Sequence, residues 1–206
     1  MYKKPIIVFE GIEGSGKTSH INFISKYLKK KKIDFIKIRE PGGSKNSEKI
    51  RKLILNNKSN FNKNTDLLLY LAARSENIEK IIKNNYKKKI ILIDRFVDST
   101  LAYQHYGMGV NKKLIEYINK FLLNKIKVNF TFLNIVNKKN FKIRLKKRKN
   151  LNRYDTFNYS FYEKVQKGFI NQSKKNIKKY LIIDSNINIR KNSDIIKRKI
   201  CKLINI

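Results

Sequence analysis

The feature that most constrains this chain is a glycine-rich octapeptide between an apolar stretch and a helical pattern. The octapeptide is Gly11-Ile12-Glu13-Gly14-Ser15-Gly16-Lys17-Thr18. It satisfies the pattern G-x-x-x-x-G-K-[ST] completely, follows an apolar strand predicted over residues 6–10 and opens a helix predicted over residues 17–28. In this arrangement backbone N–H groups and the helix N-terminus surround a phosphate chain. The motif therefore predicts a nucleoside-triphosphate site, in which Lys17 reaches the β- and γ-phosphates and Thr18 holds Mg²⁺.

Apolar runs and helical patterns alternate along the rest of the chain. Further strands are predicted over residues 35–39, 90–93, 130–136 and 181–183. Further helices are predicted over residues 48–55, from a cap at Thr65 to Ile82, and over 99–106, 113–123, 140–149, 161–179 and 194–203. Wholly apolar strands separated by helices are typical of a parallel sheet covered on both faces. We predict an α/β fold in one domain, residues 1–206, with about five parallel strands wrapped by helices.

Composition excludes several other classes of protein. Hydrophobic residues make up 41% of the 206 residues, which is too many for a disordered basic tail. No apolar run approaches the roughly 20 residues that span a membrane, and the run at residues 6–9 is too short for a signal peptide. Cys201 is the only cysteine, so an intramolecular disulfide is excluded and a reducing, cytoplasmic location is expected.

The charge of the chain has two interpretations. There are 49 Lys and Arg against 15 Asp and Glu, a formal net charge of +34. Such an excess is found in proteins that bind nucleic acid or anionic surfaces. The excess is nearly all lysine, however, and Asn and Ile are abundant too, as codons rich in A and T would produce. Because the lysines are spread along the chain and no nucleic-acid motif accompanies them, we favour the compositional origin and expect no nucleic-acid partner.

A second polar element follows the predicted strand at residues 90–93. Asp94 and Arg95 stand where that strand ends, and ligands of open α/β sheets bind beyond the carboxyl ends of the strands. Asp94 is therefore predicted to hold Mg²⁺ through water, and Arg95 to grip an anionic oxygen with its planar fork. The alternative is an aspartate that caps the next helix and pairs locally with the arginine.

Several segments together resemble the bacterial thymidylate kinases. They are Phe9-Glu10-Gly11-Ile12-Glu13-Gly14-Ser15-Gly16-Lys17-Thr18, Arg39-Glu40-Pro41-Gly42-Gly43-Ser44, Leu71-Ala72-Ala73-Arg74, Asp94-Arg95-Phe96 and Ser99-Thr100-Leu101-Ala102-Tyr103-Gln104. They stand in the family's order between about residues 6 and 184. The phosphate loop is common to many families, whereas the Arg-Glu-Pro-Gly-Gly turn combined with the last two segments is much more diagnostic.

The resemblance implies a binding site for dTMP. It implies that Tyr70 stacks on thymine, a position where the family usually has Phe, and that Arg74 hydrogen-bonds the base. Gln104 would read the base edge, Tyr103 would exclude a 2′-hydroxyl, and Glu13 would accept a hydrogen bond from the 3′-hydroxyl. An amphipathic helix that merely packs is the alternative for the first two. Two hydroxyl side chains of the same segment are included in the site, Ser99 and Thr100.

The resemblance also implies which arginines meet the acceptor phosphate. Arg95 is the best candidate, with Arg39 and Arg51 as further ones. The last two could instead pair with Glu40 or Glu48.

Residues 144–155 resemble the family's arginine-containing lid. Arg144 and Arg148 are four apart, hence on one helix face, and Arg153 follows in a polar stretch. Where no arginine follows Glu13 in the phosphate loop, lid arginines supply the charge; Arg148 and Arg153 would meet the phosphoryl group, and Arg144 the ATP side. A solvated basic helix is the alternative.

The sequence thus predicts a kinase that transfers the γ-phosphoryl group of ATP to dTMP, giving ADP and dTDP, with Mg²⁺. The predicted catalytic groups are Lys17, Arg95, Arg148 and Arg153. The resemblance also implies a homodimer. One alternative is a deoxynucleoside kinase, whose neutral 5′-hydroxyl acceptor benefits from a carboxylate base. Another is a nucleic-acid-binding ATPase, which the charge suggests but no stacking platform supports.

Overall fold

The computed structural model describes residues 3–206 and contains one parallel sheet in that range. Its strands are β1 (Ile6–Glu10), β2 (Phe35–Arg39), β3 (Ile90–Asp94), β4 (Phe130–Ile135) and β5 (Tyr180–Asp184). Their order across the sheet is β2-β3-β1-β4-β5, and each neighbouring pair is parallel. The predicted parallel sheet of five strands is therefore confirmed.

Helices connect the strands and cover both faces of the sheet. They are α1 (Lys17–Lys30), α2 (Lys45–Leu55), α3 (Lys63–Asn77), α4 (Lys83–Asn85), α5 (Val97–Thr100), α6 (Lys112–Leu123), α7 (Lys138–Lys146), α8 (Tyr159–Lys175) and α9 (Ile189–Ile204). Short 3₁₀ turns at Arg153–Thr156 and Ile177–Lys179 flank α8. Within the described residues, no helix is both long enough and apolar enough to cross a lipid bilayer.

Several predicted helix boundaries were wrong. α2 begins at Lys45 and not near residue 48, and α9 begins at Ile189 and not at residue 194. Three further differences involve asparagine. Asn62, not Thr65, caps α3, because its side chain accepts from the N–H groups of Asn64 and Thr65. Asn137 begins α7 earlier than predicted, and the helix ends at Lys146. Asn176 leaves the helical region (φ −148°) and ends α8 before the 3₁₀ turn. Asparagine is a strong cap because its short amide competes for backbone groups, and this chain uses it at many helix starts.

The central strand β1 is buried on both faces, as its apolar run predicts. Ile7 and Phe9 pack with α1 and α9 on one face. Ile6 and Val8 point to the other face, where they pack with side chains of the segment after α3. This two-sided burial fixes the strand's height in the sheet, and so fixes where the glycine-rich loop begins.

The sheet register brings the two predicted polar segments together. β1 and β3 are neighbours, and Phe9 lies opposite Asp94. The backbone N–H of Arg95 donates to the carbonyl oxygen of Phe9 at 3.0 Å. The loop after β1 and the Asp94-Arg95 turn therefore share one edge of the sheet.

Two π-helical segments continue α-helices of this fold. Ile78–Ile82 extends α3, and Leu101–Gly107 extends α5. The second segment carries Tyr103 and Gln104. π-Helical turns are rare and are frequent at functional sites, because the wider turn re-aims side chains.

Candidate active site

The glycine-rich loop wraps around the buried ammonium group of Lys17. The Nζ atom donates to the carbonyl oxygens of Gly11 at 2.9 Å and Ile12 at 2.8 Å. Gly16 precedes α1 with φ +88°, a left-handed conformation suited to glycine. A Cβ atom on Gly11 would lie 2.2 Å from the carbonyl oxygen of Asn134. The loop thus passes so close to β4 that only glycine fits at position 11.

Burial makes the charge on Lys17 costly. Burial first, and then the nearby Arg95 charge, lower the Lys17 pKa to about 8. An anionic phosphate at this position would reverse that effect, since an opposite charge favours the protonated amine.

Thr18 and Asp94, the predicted metal residues, are adjacent. The Thr18 hydroxyl donates to Asp94 Oδ2 at 3.1 Å, across the seam between β1 and β3. A hydroxyl and a carboxylate are hard oxygen donors of the kind that Mg²⁺ takes with water and substrate phosphates. Among residues 3–206 no three His, Cys, Asp or Glu side chains are grouped as an ion-binding cluster. The donors present thus fit a Mg²⁺ ion that arrives with nucleotide.

Two cavities open from the loop in different directions. One has a volume of about 510 Å³ and holds most of the side chains predicted to bind the acceptor. The other, about 410 Å³, runs along α1 towards Ser185 and Ile187. Gly14, Lys17, Thr18 and Arg144 line both. The loop and Lys17 therefore stand between two compartments, as transfer of a group from one ligand to another requires.

The larger cavity, hereafter the acceptor cavity, brings together most of the predicted acceptor residues. Those lining it are Glu13, Arg39, Arg51, Tyr70, Arg95, Ser99, Tyr103 and Gln104. The lid residues Arg144 and Arg148 line it as well.

A three-residue cluster forms one wall of the acceptor cavity. Arg95 Nη2 lies 2.8 Å from Glu13 Oε1, and Nη1 donates to the Gly11 carbonyl at 2.9 Å. The Tyr103 hydroxyl donates to Glu13 Oε2. Burial alone raises the Glu13 pKa, but the Arg95 and Lys17 charges and the Tyr103 hydrogen bond outweigh it and lower that pKa. The cluster holds an ionised carboxylate and a guanidinium at fixed positions beside the loop.

Arg95 adopts a left-handed backbone conformation, with φ +66°. This is uncommon for a residue other than glycine, and such strain is concentrated at functional sites. Glu10 stabilises the turn, because its carboxylate accepts from the N–H of Phe96 at 2.7 Å and from the Ser99 hydroxyl at 2.6 Å. This role of Glu10 was not predicted from the sequence. Its signal was an acidic residue at the end of an otherwise apolar strand.

Burial, and next the charge of Asp98, raise the pKa of Glu10 to about 7. The two carboxyl groups lie beneath the Arg95 turn on the side away from the acceptor cavity, where Asp98 accepts a hydrogen bond from Tyr180 at 2.8 Å. Glu10 is thus a support for the wall and does not line the acceptor cavity.

Tyr70 and Gln104, the two residues predicted to contact the base by stacking and by hydrogen bonding its edge, both line the acceptor cavity. Tyr70 meets the ring of Tyr154 edge-on, with centroids 6.1 Å apart. Gln104 Nε2 donates to Asp66 Oδ2 at 3.1 Å and lies 3.4 Å from the Tyr154 hydroxyl. Asp66 and Tyr154 were not predicted as site residues, since nothing in the local sequence links them to Gln104.

Arg74 occupies a different place from the one predicted. Its side chain is 1% exposed and does not line the acceptor cavity. Nε lies 2.8 Å from Glu40 Oε2, Nη1 donates to Asn119 at 2.6 Å, and Nη2 donates to the Phe96 carbonyl at 2.9 Å. In this arrangement Arg74 joins α3 to the turn after β2 and to α6, and its predicted contact with the base stays a prediction. Burial raises the Glu40 pKa even though Arg74 lowers it.

The remaining acceptor predictions divide. Arg39 pairs with Glu48 at 3.1 Å, the alternative left open, while still lining the cavity with a half-exposed side chain. Arg51 donates to the Pro41 carbonyl at 2.7 Å and also lines the cavity. Thr100 does not line it: its side chain is buried, 1% exposed, on the face of α5 turned into the protein.

Two of the three lid arginines, Arg144 and Arg148, line the acceptor cavity. Arg144 donates to the carbonyl oxygens of Gly14 at 2.8 Å and Ser185 at 2.5 Å, so it bridges the phosphate loop and the segment after β5. Arg148 pairs with Asp155 at 2.5 Å and lines the acceptor cavity.

Arg153 lies elsewhere in this structure, and its predicted catalytic role stays a prediction. It pairs with the buried Asp66 and donates to the Ile54 carbonyl at 3.1 Å. It lines a separate cleft beside Phe61 and not the acceptor cavity. The 3₁₀ turn at Arg153–Thr156 points this side chain towards α3, a direction that residue spacing alone did not reveal.

A parallel sheet with a phosphate loop at its central strand, and with two ligand compartments meeting at Lys17, defines a nucleotide phosphotransferase of the P-loop class. Within that class, the sequence profile described as thymidylate kinase matches residues 9–196. The chain therefore belongs to the thymidylate kinase family.

Individual relatives agree with the family match over most of the chain. The thymidylate kinase of Kosmotoga olearia is 32% identical over 186 residues, covering 90% of this chain and 89% of the relative. That of Thermosipho africanus is 40% identical over 169 residues, covering 82% and 84%. The crystal structure of thymidylate kinase from Ehrlichia chaffeensis superposes with a TM-score of 0.77 at 30% identity, covering 96% of this chain and 98% of that one.

Proposed function

We propose that this chain transfers the γ-phosphoryl group of ATP to dTMP, giving ADP and dTDP. The observation that carries the proposal is the common boundary of the two cavities. Gly14, Lys17, Thr18 and Arg144 line both, so a donor triphosphate along α1 and an acceptor in the larger cavity would meet at Lys17. Membership of the family supports dTMP as the acceptor.

The proposed chemistry depends on position and charge more than on a base. The acceptor is already an anionic phosphate, so no side chain has to remove a proton from it. Lys17, Arg95 and Arg148 all line the acceptor cavity and would neutralise the charge that spreads over the transferring group. When bound, Mg²⁺ supplies further charge neutralisation at the β- and γ-phosphates, and Thr18 and Asp94 would hold it.

We further propose how the nucleoside is recognised. Tyr70 would stack on the base, and Gln104 would hydrogen-bond its edge. Tyr103 would lie against the sugar and leave no room for a 2′-hydroxyl, while Glu13 would accept from the 3′-hydroxyl. The fixed positions of the last two, which hydrogen-bond each other, support this assignment.

The test is a coupled assay of ADP release over a panel of acceptors. dTMP should be the best substrate, ribo-TMP a poor one, and thymidine inactive. Preference for thymidine would instead identify a deoxynucleoside kinase. ADP release that depends on added DNA or RNA and needs no monophosphate would identify the nucleic-acid-binding ATPase.

We also propose that the chain acts as a homodimer in the cytoplasm. Four exposed apolar side chains on adjacent helices support a self-association face: Leu68 on α3, and Leu114, Tyr117 and Phe121 on α6. On α6 these residues follow helical spacing, so they form one stripe. The opposite sides of α3 and α6 pack together through Leu67, Leu71 and Ile115. A contiguous apolar face of this kind is typical of interaction sites.

A further inference from the structure

The buried carboxylate of Asp66 connects Gln104, in the wall of the acceptor cavity, to Arg153 of the lid. Asp66 on α3 is 1% exposed. Its Oδ2 atom accepts from Gln104 Nε2 at 3.1 Å and from the Tyr154 hydroxyl at 2.6 Å. Its Oδ1 atom pairs with Arg153 Nη2. Gln104 and Tyr154 line the acceptor cavity, whereas Asp66 stands behind them.

These contacts determine which end of the Gln104 amide points inward. The oxygen and nitrogen of a glutamine amide are nearly equal in size, so hydrogen-bond partners decide the orientation. A carboxylate can only accept, and the Tyr154 hydroxyl has given its single hydrogen to Asp66. Both neighbours of the amide at this position therefore require a donor, which is the nitrogen. The amide oxygen is then the polar atom that Gln104 can offer to a ligand in the acceptor cavity.

We propose that Asp66 is a specificity-determining positioning residue: by fixing this orientation, it makes the site select pyrimidines that carry a hydrogen on N3. Thymine and uracil have an N3–H donor, which matches an amide oxygen. Cytosine has an unprotonated N3 acceptor, which an amide oxygen repels. The proposal rests on the proposed function, since it deepens the assignment of Gln104 to the base edge.

Because of the ion pair with Arg153, one substitution at Asp66 can reverse the orientation of the Gln104 amide. In Asp66→Asn the guanidinium can only donate, so it should hold the new amide's oxygen at the Oδ1 position. The new amide nitrogen then takes the Oδ2 position and faces Gln104. Because it is a donor, it should turn the Gln104 oxygen towards itself and the nitrogen towards the ligand.

The experiment compares kcat/KM for dTMP and dCMP, with equilibrium binding of each nucleotide by calorimetry in the absence of ATP. Asp66→Asn should lower the dTMP to dCMP ratio by about 100-fold, since donor–acceptor mismatches in built sites discriminate by up to about 10⁴–10⁵. The change should lie in KM and in the binding constants more than in kcat.

Arg153→Lys is the matched control, because it removes the guanidinium but keeps a positive charge beside Asp66 and leaves Asp66 on Gln104 and Tyr154. It should keep the wild-type ratio. Should Asp66→Asn not fold, Tyr154→Phe removes one of the two groups that fix the amide and should lower the ratio by a smaller factor. An unchanged ratio in a folded Asp66→Asn, or an equal loss in Arg153→Lys, would overturn the proposal. A wild-type enzyme with no preference for dTMP would instead refute the proposed function itself.

Discussion

At the scale of single residues, the ammonium group of Lys17 lies where a phosphate would stabilise its charge. It is buried against two loop carbonyls, and burial lowers its pKa to about 8. A triphosphate favours the protonated form, so binding above that pKa must take up a proton.

This predicts the pH dependence of ATP binding. Below pH 8 Lys17 is already protonated, and the affinity should vary little with its titration. Above pH 8 the affinity should fall, towards about tenfold per pH unit, because one proton must bind with the nucleotide. Calorimetry at pH 8 in two buffers of different ionisation enthalpy measures the proton uptake, which should be about half a proton per ATP. Equal uptake at pH 6.5 and pH 8 would contradict the role of Lys17.

The buried Arg74–Glu40 ion pair predicts an effect on the free energy of unfolding that could not be predicted from the sequence. Arg74→Met leaves Glu40, 4% exposed, as an uncompensated carboxylate, which typically costs about 3–5 kcal/mol. Arg39→Met is the matched control: it removes an exposed pair with Glu48, worth at most about 1 kcal/mol. Urea unfolding followed by circular dichroism gives both values, provided the slopes agree. A loss at Arg74 no larger than that at Arg39 would show that the pair is not a structural element.

At the scale of elements, the lid places Arg144 and Arg148 at the acceptor cavity and Arg153 away from it. Arg148 sits beside the cavity on its ion pair with Asp155, whereas Arg153 is held against α3. Burial raises the pKa of Asp155, although Arg148 lowers it. Because burial disfavours the ionised form of Asp155, we expect Arg148 to leave this carboxylate for a more highly charged phosphoryl group.

Exchanging Arg148 or Arg153 for lysine keeps the positive charge but removes the planar, bidentate guanidinium. Arg148→Lys should lower kcat by at least about tenfold with little change in either KM, since a lost bidentate contact to the transferring group acts in the transition state. Arg153→Lys should leave kcat within about twofold, because that side chain does not reach the transferring group in this arrangement. Steady-state kinetics with both substrates varied decides the matter. The opposite ranking would mean that the lid rearranges and brings Arg153 to the phosphates.

At the scale of the whole molecule, the exposed apolar stripe of Leu114, Tyr117 and Phe121 on α6 is the proposed contact between two copies of the chain. Phe121→Glu should shift the protein from dimer to monomer, because a charge in the centre of an apolar interface is costly to bury. Ile177→Glu is the matched control, since Ile177 is equally exposed (74% for both) but lies in the 3₁₀ turn after α8. Sedimentation velocity at several concentrations measures the change. A wild-type monomer, or an equal effect of both substitutions, would refute the proposed face.

The sequence by itself determined the parallel sheet, the phosphate loop and the adjacency of Thr18 and Asp94. Each follows from a local pattern: apolar runs buried on both faces, glycines in a strand–turn–helix, and polar residues where strands end. Most of the residues that line the acceptor cavity were also predicted, because the family's segments are contiguous.

Only the tertiary structure decided the partners of the buried charges. Arg74 and Tyr70 share a helix face, yet one is enclosed with Glu40 and the other lines the cavity. Asp66 and Gln104 are 38 residues apart, and Glu10 supports a turn 86 residues away. Long flexible side chains reach in several directions from one backbone position, and which partner they find depends on how the elements pack. That packing also sends Arg153 to Asp66 and leaves Arg148 at the acceptor cavity.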